Sequence, residues 1–238
     1  SAIDSNAKTP NPNVTVLEWL QTRPGFGRGV AAFATWDVFP FILNTTRSGM
    51  LVNAGWDSLA LRQPTPAQVL LNTLMTTLPR LWEGERYDAL TYLAAKEHIL
   101  AARPAVIYVA LGETDDWAHE DRYDRYLDAA RIGDAFIRDL WDTLQADPRY
   151  RHRTALVVTT DHGRGAGRAG WSRHGASVDG AEWIWAAVMG PDTPALGSRR
   201  DVTDATQSQI AATVAALLGE DYPAAERRAA PPLPGVVR

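Results

Sequence analysis

Short apolar runs alternate along this chain with longer stretches of helical periodicity, and that alternation constrains its fold more than any other feature. Val106-Ile107-Tyr108-Val109-Ala110-Leu111 follows Pro104, and Thr154-Ala155-Leu156-Val157-Val158-Thr159-Thr160 follows Asp147-Pro148. Between them, Tyr123, Tyr126, Leu127, Ala130, Ile137, Leu140, Trp141 and Leu144 recur at three- and four-residue steps, with acids and arginines between. The first pattern suits buried strands and the second an amphipathic helix. Extending the reading predicts strands over 29–35, 105–111, 154–160 and 182–189. Helices are expected over 14–22, 65–81, 88–102 and 204–218, and residues 53–56 read as loop. Strands that alternate with helices of this length predict an α/β fold, a mainly parallel sheet flanked by helices and joined by right-handed crossovers. One domain spanning 1–238 is expected, with a mobile tail over 226–238 around Pro231-Pro232-Leu233-Pro234.

Composition removes several function classes. A net charge of −4 gives no footprint for nucleic acid or for an anionic membrane surface, so neither is expected as a partner. The chain has no cysteine, which excludes disulfides, thiolate-ligated zinc and a thiol nucleophile. No apolar run reaches the roughly 20 residues of a membrane span. The opening residues 1–13 are polar and rich in Pro and Asn, unlike a signal peptide.

Chemistry-bearing side chains gather just past the predicted strand ends, where α/β proteins place their sites. After the 105–111 strand come Asp115 and His119, four residues apart and so on one side of any helical turn there. The 154–160 strand stops on Asp161-His162-Gly163, a carboxylate and an imidazole with a glycine that permits a sharp exit. Then His174-Gly175 precedes the next apolar run. Imidazole and carboxylate donors together suit zinc or a similar divalent ion. Each motif has a blander reading. Glu113, Asp115, Asp116, Glu120 and Asp121 would all favour a helix start, and a lone loop histidine is ordinary; for Glu120 and Asp121 that reading is preferred. His98 in a helix and His152 in a basic turn read as structural or solvent-facing. Trp117 and Trp171 flank ligand motifs, whereas Trp183 and Trp185 alternate as packing residues on a strand.

Glu113-x-Asp115-x-x-x-His119, Thr160-Asp161-His162-Gly163 and His174-Gly175, in that order, resemble the alkaline phosphatase superfamily. The likeness is to its phosphodiesterase, phosphopentomutase-like and sulfatase-like branches, and it covers about residues 105–189. Gln207-Ser208-Gln209-Ile210 and Leu217-Leu218-Gly219 are similar to the family's closing helix. Trp36-Asp37-Val38-Phe39 resembles the segment between its nucleophile and its ligand motifs. The resemblance implies an alkaline phosphatase-like fold and two divalent metal ions, zinc by preference and manganese as the alternative. Asp115, His119 and His174 would hold one ion, and Asp161 and His162 would supply two ligands to the second. It implies a small-molecule phosphoric ester, or less readily a sulfuric ester, as substrate, and an extracytoplasmic or secreted setting.

The same family completes its second site with an Asp on a first strand and a Ser or Thr nucleophile on the next helix. Asp4 and Ser5 have no strand before them, and Thr9 is followed by Pro10. The expectation is therefore a carboxyl-terminal portion whose nucleophile segment lies upstream, as a possible partner, with the chain alone inactive. A phosphomutase of the same superfamily and a non-catalytic metal-binding domain are the alternatives. Gly163-Arg164-Gly165-Ala166-Gly167-Arg168 offers a weaker one, a nucleotide-binding loop, but lacks the Lys-Ser/Thr pair of a phosphate cradle. Arg164, Arg168 and Arg173 could face an anionic substrate or solvent.

Overall fold

A computed structural model describes the chain except Ser1, Ala2, Asp4, Leu61, Arg62, Asp201, Thr203, Asp204 and Arg238, and the side chain of Arg28. Asp4, weighed above as a metal ligand, and Asp204, the expected start of the last helix, therefore lie outside the described residues. The elements run α1 (Val16–Gln21), β1 (Val30–Ala34), α2 (Phe39–Ile42), α3 (Thr45–Ser48), β2 (Leu51–Ala54), α4 (Pro66–Thr77), α5 (Asp88–Ala102) and β3 (Val106–Ala110). They continue with α6 (Glu113–His119), α7 (Tyr123–Ala146), β4 (Leu156–Thr159), α8 (Gly167–Gly170), β5 (Ala186–Met189), α9 (Ile210–Leu217) and α10 (Tyr222–Ala225). Where the sequence suggested one domain, the chain divides into two compact units, residues 1–117 with 122–136 and residues 118–121 with 137–238. The division passes through α6 and α7.

The first unit is α/β, built on a parallel sheet of order β2-β1-β3 flanked by helices. Its central strand, Val30-Ala31-Ala32-Phe33-Ala34, is buried at every position, because it is covered on both faces and carries no polar side chain. Helix α4 starts on Thr65, whose hydroxyl accepts from Gln68 N while the Gln68 side chain returns to Thr65 N, with Pro66 in the first turn. Leu71 and Met75 on α4 and Leu90, Ala94 and Ala95 on α5 then pack against Ala31 and Phe33. Burying each large member of this cluster contributes about 1.5–3 kcal/mol. Helix α5 ends as Arg103 takes a left-handed conformation (φ 57°), and Pro104 admits no continuation. His98 sits on α5 with its ring 5.3 Å from that of Phe33, a packing role.

Two sequence expectations are corrected in this unit. Residues 53–56 read as loop, yet Leu51–Ala54 form β2 and pair in register with Ala31–Ala34. Asn53 concealed it: a polar side chain in a four-residue strand, buried only because distant groups satisfy it. Its amide donates to the Asp57 carbonyl, while its side-chain oxygen accepts from Arg86 Nη1 at 2.7 Å. Helix α4 stops at Thr77 rather than continuing to 81.

In the second unit β4 pairs with β5 antiparallel, Thr159 opposite Ala186 and Leu156 opposite Met189. The expectation of a mainly parallel sheet fails here because a parallel crossover needs a long covering helix, and the connection contains only the four residues of α8. The strand expected over 182–189 begins at Ala186, so Trp183 and Trp185 precede it; they are 77% and 55% exposed rather than packed. Helix α9 follows a 3-10 turn capped reciprocally by Thr206 and Gln209. The segment read as a tail is tied back to it: Leu233 N donates to Thr213 Oγ1 at 2.8 Å and Gln209 Nε2 to the Pro232 carbonyl at 3.4 Å. Among the described residues no helix is long and apolar enough to cross a membrane.

Candidate metal centre

Helix α6 delivers two of the expected ligands. Strand β3 ends at Ala110, Gly112 turns the chain, and its carbonyl accepts from Asp115 N and Asp116 N at 2.8 and 3.1 Å. Asp115 and His119 then stand one helical turn apart on one side of α6, as their spacing predicts. Gly112 is close-packed: an added Cβ would lie 2.9 Å from Glu85 Oε2 and 3.1 Å from Thr35 Cγ2.

The other three expected ligands lie in the second unit around the exit of β4. Gly163 N donates to the Ala181 carbonyl at 2.8 Å and Gly165 N to the Arg173 carbonyl at 2.9 Å, folding the 161–174 segment back on itself. Both positions require glycine. A Cβ on Gly163 would overlap the Trp183 carbonyl oxygen, and one on Gly165 would sit 2.7 Å from the Gly170 carbonyl oxygen. The glycine-rich stretch thus serves a tight backbone crossing.

That crossing brings three imidazoles together. His174 Nε2 and His119 Nε2 are 3.0 Å apart, with their rings at 66°. His162 stacks on His174, centroids 3.9 Å apart and planes within 5°. His162 Nδ1 lies 2.9 Å from the Gly163 carbonyl oxygen, a contact that only a protonated Nδ1 can make favourably, so Nε2 is left as the lone-pair nitrogen. Asp161, 84% exposed, places Oδ2 at 3.6 Å from His162 Nε2. His152, outside the group, occupies an exposed turn with φ 57°.

These separations fit shared cations. Tetrahedral zinc with bonds of about 2.0–2.2 Å holds its ligand atoms roughly 3.3–3.6 Å apart. The His119–His174 pair and the Asp161–His162 pair each approach that spacing, and the stacked rings make the two pairs neighbours.

A buried polar system beneath Asp115 was not foreseen from sequence. Asp88, 4% exposed, accepts from Thr35 Oγ1 and Gly112 N, both at 2.7 Å, and from Glu113 N at 3.2 Å. Glu113 Oε1 accepts in return from Asp88 N at 2.8 Å. Burial pushes the Asp88 carboxyl up to about 6 against these hydrogen bonds. Asp116 is raised further, first by burial and then by a hydrogen bond to Glu85 and by the charges of Glu85, Asp88 and Asp115. It is protonated at neutral pH and shares its proton with Glu85. Only the pair Arg86 and Asp88 just ahead of an apolar helix hints at this in the sequence, and it reads equally well as a helix cap.

The shift has a measurable sign. Asp116 in the unfolded chain is ionised above about pH 4, whereas folded Asp116 keeps its proton. The folded state therefore binds more protons, and stability falls as pH rises through this window, by up to about 1.4 kcal/mol per pH unit. Asp88 adds the same sign between the ordinary carboxylate value and about 6. Denaturant titrations at pH 5 and pH 7.5 should show wild type losing stability over the interval, with Asp116→Asn showing a clearly flatter dependence. Parallel curves for the two proteins would refute this assignment.

No family model matches the chain, and no curated protein or solved structure is similar enough to match it.

Proposed function

We propose that the chain carries the divalent-metal centre of a phosphoric ester hydrolase of the alkaline phosphatase type, with sulfuric esters as the less favoured substrates. The observation that carries the reading is the convergence of His119 and His174 through their Nε2 atoms at 3.0 Å. Two neutral nitrogens at that distance must share a proton or a cation. His119 and His174, and the Asp115 carboxylate that the family resemblance adds to them, are donors of the kind that select zinc, or manganese, over calcium or magnesium. Asp161 and His162 would hold a second ion beside the first, in the division that the family resemblance implies. Ions bound there would supply Lewis acidity to the ester oxygens.

The protein's own groups have defined tasks in this reading. Gly163 fixes the His162 tautomer through its carbonyl. The glycine crossing holds His174 against His162, and the exposure of Asp161 leaves room for a charged ester. In the family that the motifs resemble, the nucleophile is a Ser or Thr hydroxyl, a task that none of the ligands named here takes. Zinc-dependent binding of inorganic phosphate, against inorganic sulfate, tests the proposal without requiring the nucleophile. Phosphate binding that needs zinc, exceeds sulfate binding and is weakened at least about 100-fold by Asp115→Asn is expected. Equal phosphate binding with and without zinc, or none of either anion, would overturn it.

A further inference from the structure

Four buried side chains in the first unit form one hydrogen-bonded chain. Arg86, fully buried, donates from Nε to Thr91 Oγ1 at 2.8 Å. Thr91 Oγ1 and Thr35 Oγ1 are 3.1 Å apart, and Thr35 Oγ1 donates to Asp88 Oδ1 at 2.7 Å. The direction is forced. A guanidinium only donates and an ionised carboxylate only accepts, so Thr91 must pass its hydrogen to Thr35 and Thr35 its hydrogen to Asp88. The far end of Arg86 is fixed by the Asn53 side-chain and backbone oxygens at 2.7 and 3.2 Å.

The chain ends at the start of α6. Both Asp88 oxygens are used, Oδ1 by Gly112 N as well as by Thr35, and Oδ2 by Glu113 N. The first amides of a helix have no partner within it, and here a carboxylate more than twenty residues upstream supplies one. We propose that Asp88, anchored by Arg86 through Thr91 and Thr35, is the positioning residue that sets the first turn of α6 and thereby the ligand Asp115. This rests on the metal-centre reading above. Asp88 acts through the Gly112–Glu113 backbone.

The proposal makes Asp88→Asn informative. The amide keeps the shape but turns a donor toward groups that all donate, so at least one of the Thr35, Gly112 and Glu113 contacts breaks. Leu90→Ala is the control: Leu90 is a core residue of the same helix, 4% exposed, whose apolar side chain takes no part in these hydrogen bonds. Two quantities are measured on each protein: zinc affinity by competition with a chromogenic chelator, and metal-free amide hydrogen exchange by NMR. D88N is expected to weaken zinc binding about tenfold and to speed exchange at Gly112, Glu113, Asp115 and Asp116. L90A is expected to lower stability while leaving zinc affinity within about twofold of wild type and these amides protected. Wild-type affinity and exchange in D88N, or the same losses in L90A, would overturn the assignment. If wild type takes up no zinc while D88N still speeds exchange at those amides, the metal reading falls and the positioning of α6 stands.

Discussion

Replacing His174 by alanine is expected to weaken zinc binding by at least about 100-fold while the protein stays folded. His174 occupies the centre of the imidazole group, 3.0 Å from His119 by its Nε2 and stacked at 3.9 Å on His162. Its loss removes a donor from one proposed ion and the ring that orients a donor of the other. The fold has little reason to notice. His174 is half-buried in a loop held by backbone hydrogen bonds from Gly163, Gly165 and Arg173, none of which uses its side chain. His152→Ala, which alters an exposed imidazole outside the group, should leave zinc affinity unchanged. Competition titrations against a chelator of known affinity separate the two. A H174A protein that binds zinc like wild type would remove His174 from the centre.

Arg86→Met should cost about 3 kcal/mol of stability. The guanidinium is fully buried, and burial lowers it to about 10 against the favourable fields of Asp57 and Asp88. Replacing a buried charge by an apolar side chain of similar length can be neutral when its partners are replaced too. Here they remain: the Asn53 side-chain oxygen loses its donor, Thr91 loses the contact that sets its hydroxyl, and Asp88 loses a favourable positive charge. Each orphaned group costs about 1–3 kcal/mol, which outweighs the relief of removing one desolvated cation. Denaturant unfolding of R86M against wild type, followed by the near-ultraviolet signal, measures the loss. An unchanged midpoint would mean that the polar chain contributes nothing to stability.

The sequence disclosed elements whose signals were local. Val106–Ala110 and Leu156–Thr159 are runs of apolar and β-branched residues bounded by Pro104, Gly112 and Asp161, and both are strands. The long helix over Tyr123–Ala146 follows from its three- and four-residue periodicity. What failed depended on distant partners. Strand β2 was hidden because Asn53 reads as a loop residue until Arg86 reaches it. The antiparallel pairing of β4 with β5 could not be read from either strand, because both are apolar and the direction is set by a connection without a long helix. Trp183 and Trp185 alternate as strand residues would, yet the strand starts just after them.

The candidate centre divides in the same way. Asp115 and His119, and Asp161 and His162, are visible as donor pairs at short spacing next to strand ends, and the structure brings His119, His162 and His174 together. Arg86, Thr91, Thr35 and Asp88 are not visible as a group, Arg86 and Asp88 reading equally well as a helix cap. They come from α5, the loop before it and the residue just past β1, and only the folded chain shows that their donors and acceptors match in one direction.

The histidine signals are the most direct test of the centre itself. In a two-dimensional proton–nitrogen spectrum of the imidazoles, stoichiometric zinc should move the ring resonances of His119, His162 and His174 together, leaving those of His98 and His152 in place. Saturation of the three at a common zinc equivalent is the predicted result. Resonances of His119 and His174 that stay fixed through excess zinc would contradict it, since the two nitrogens 3.0 Å apart would then be sharing a proton rather than offering a metal site.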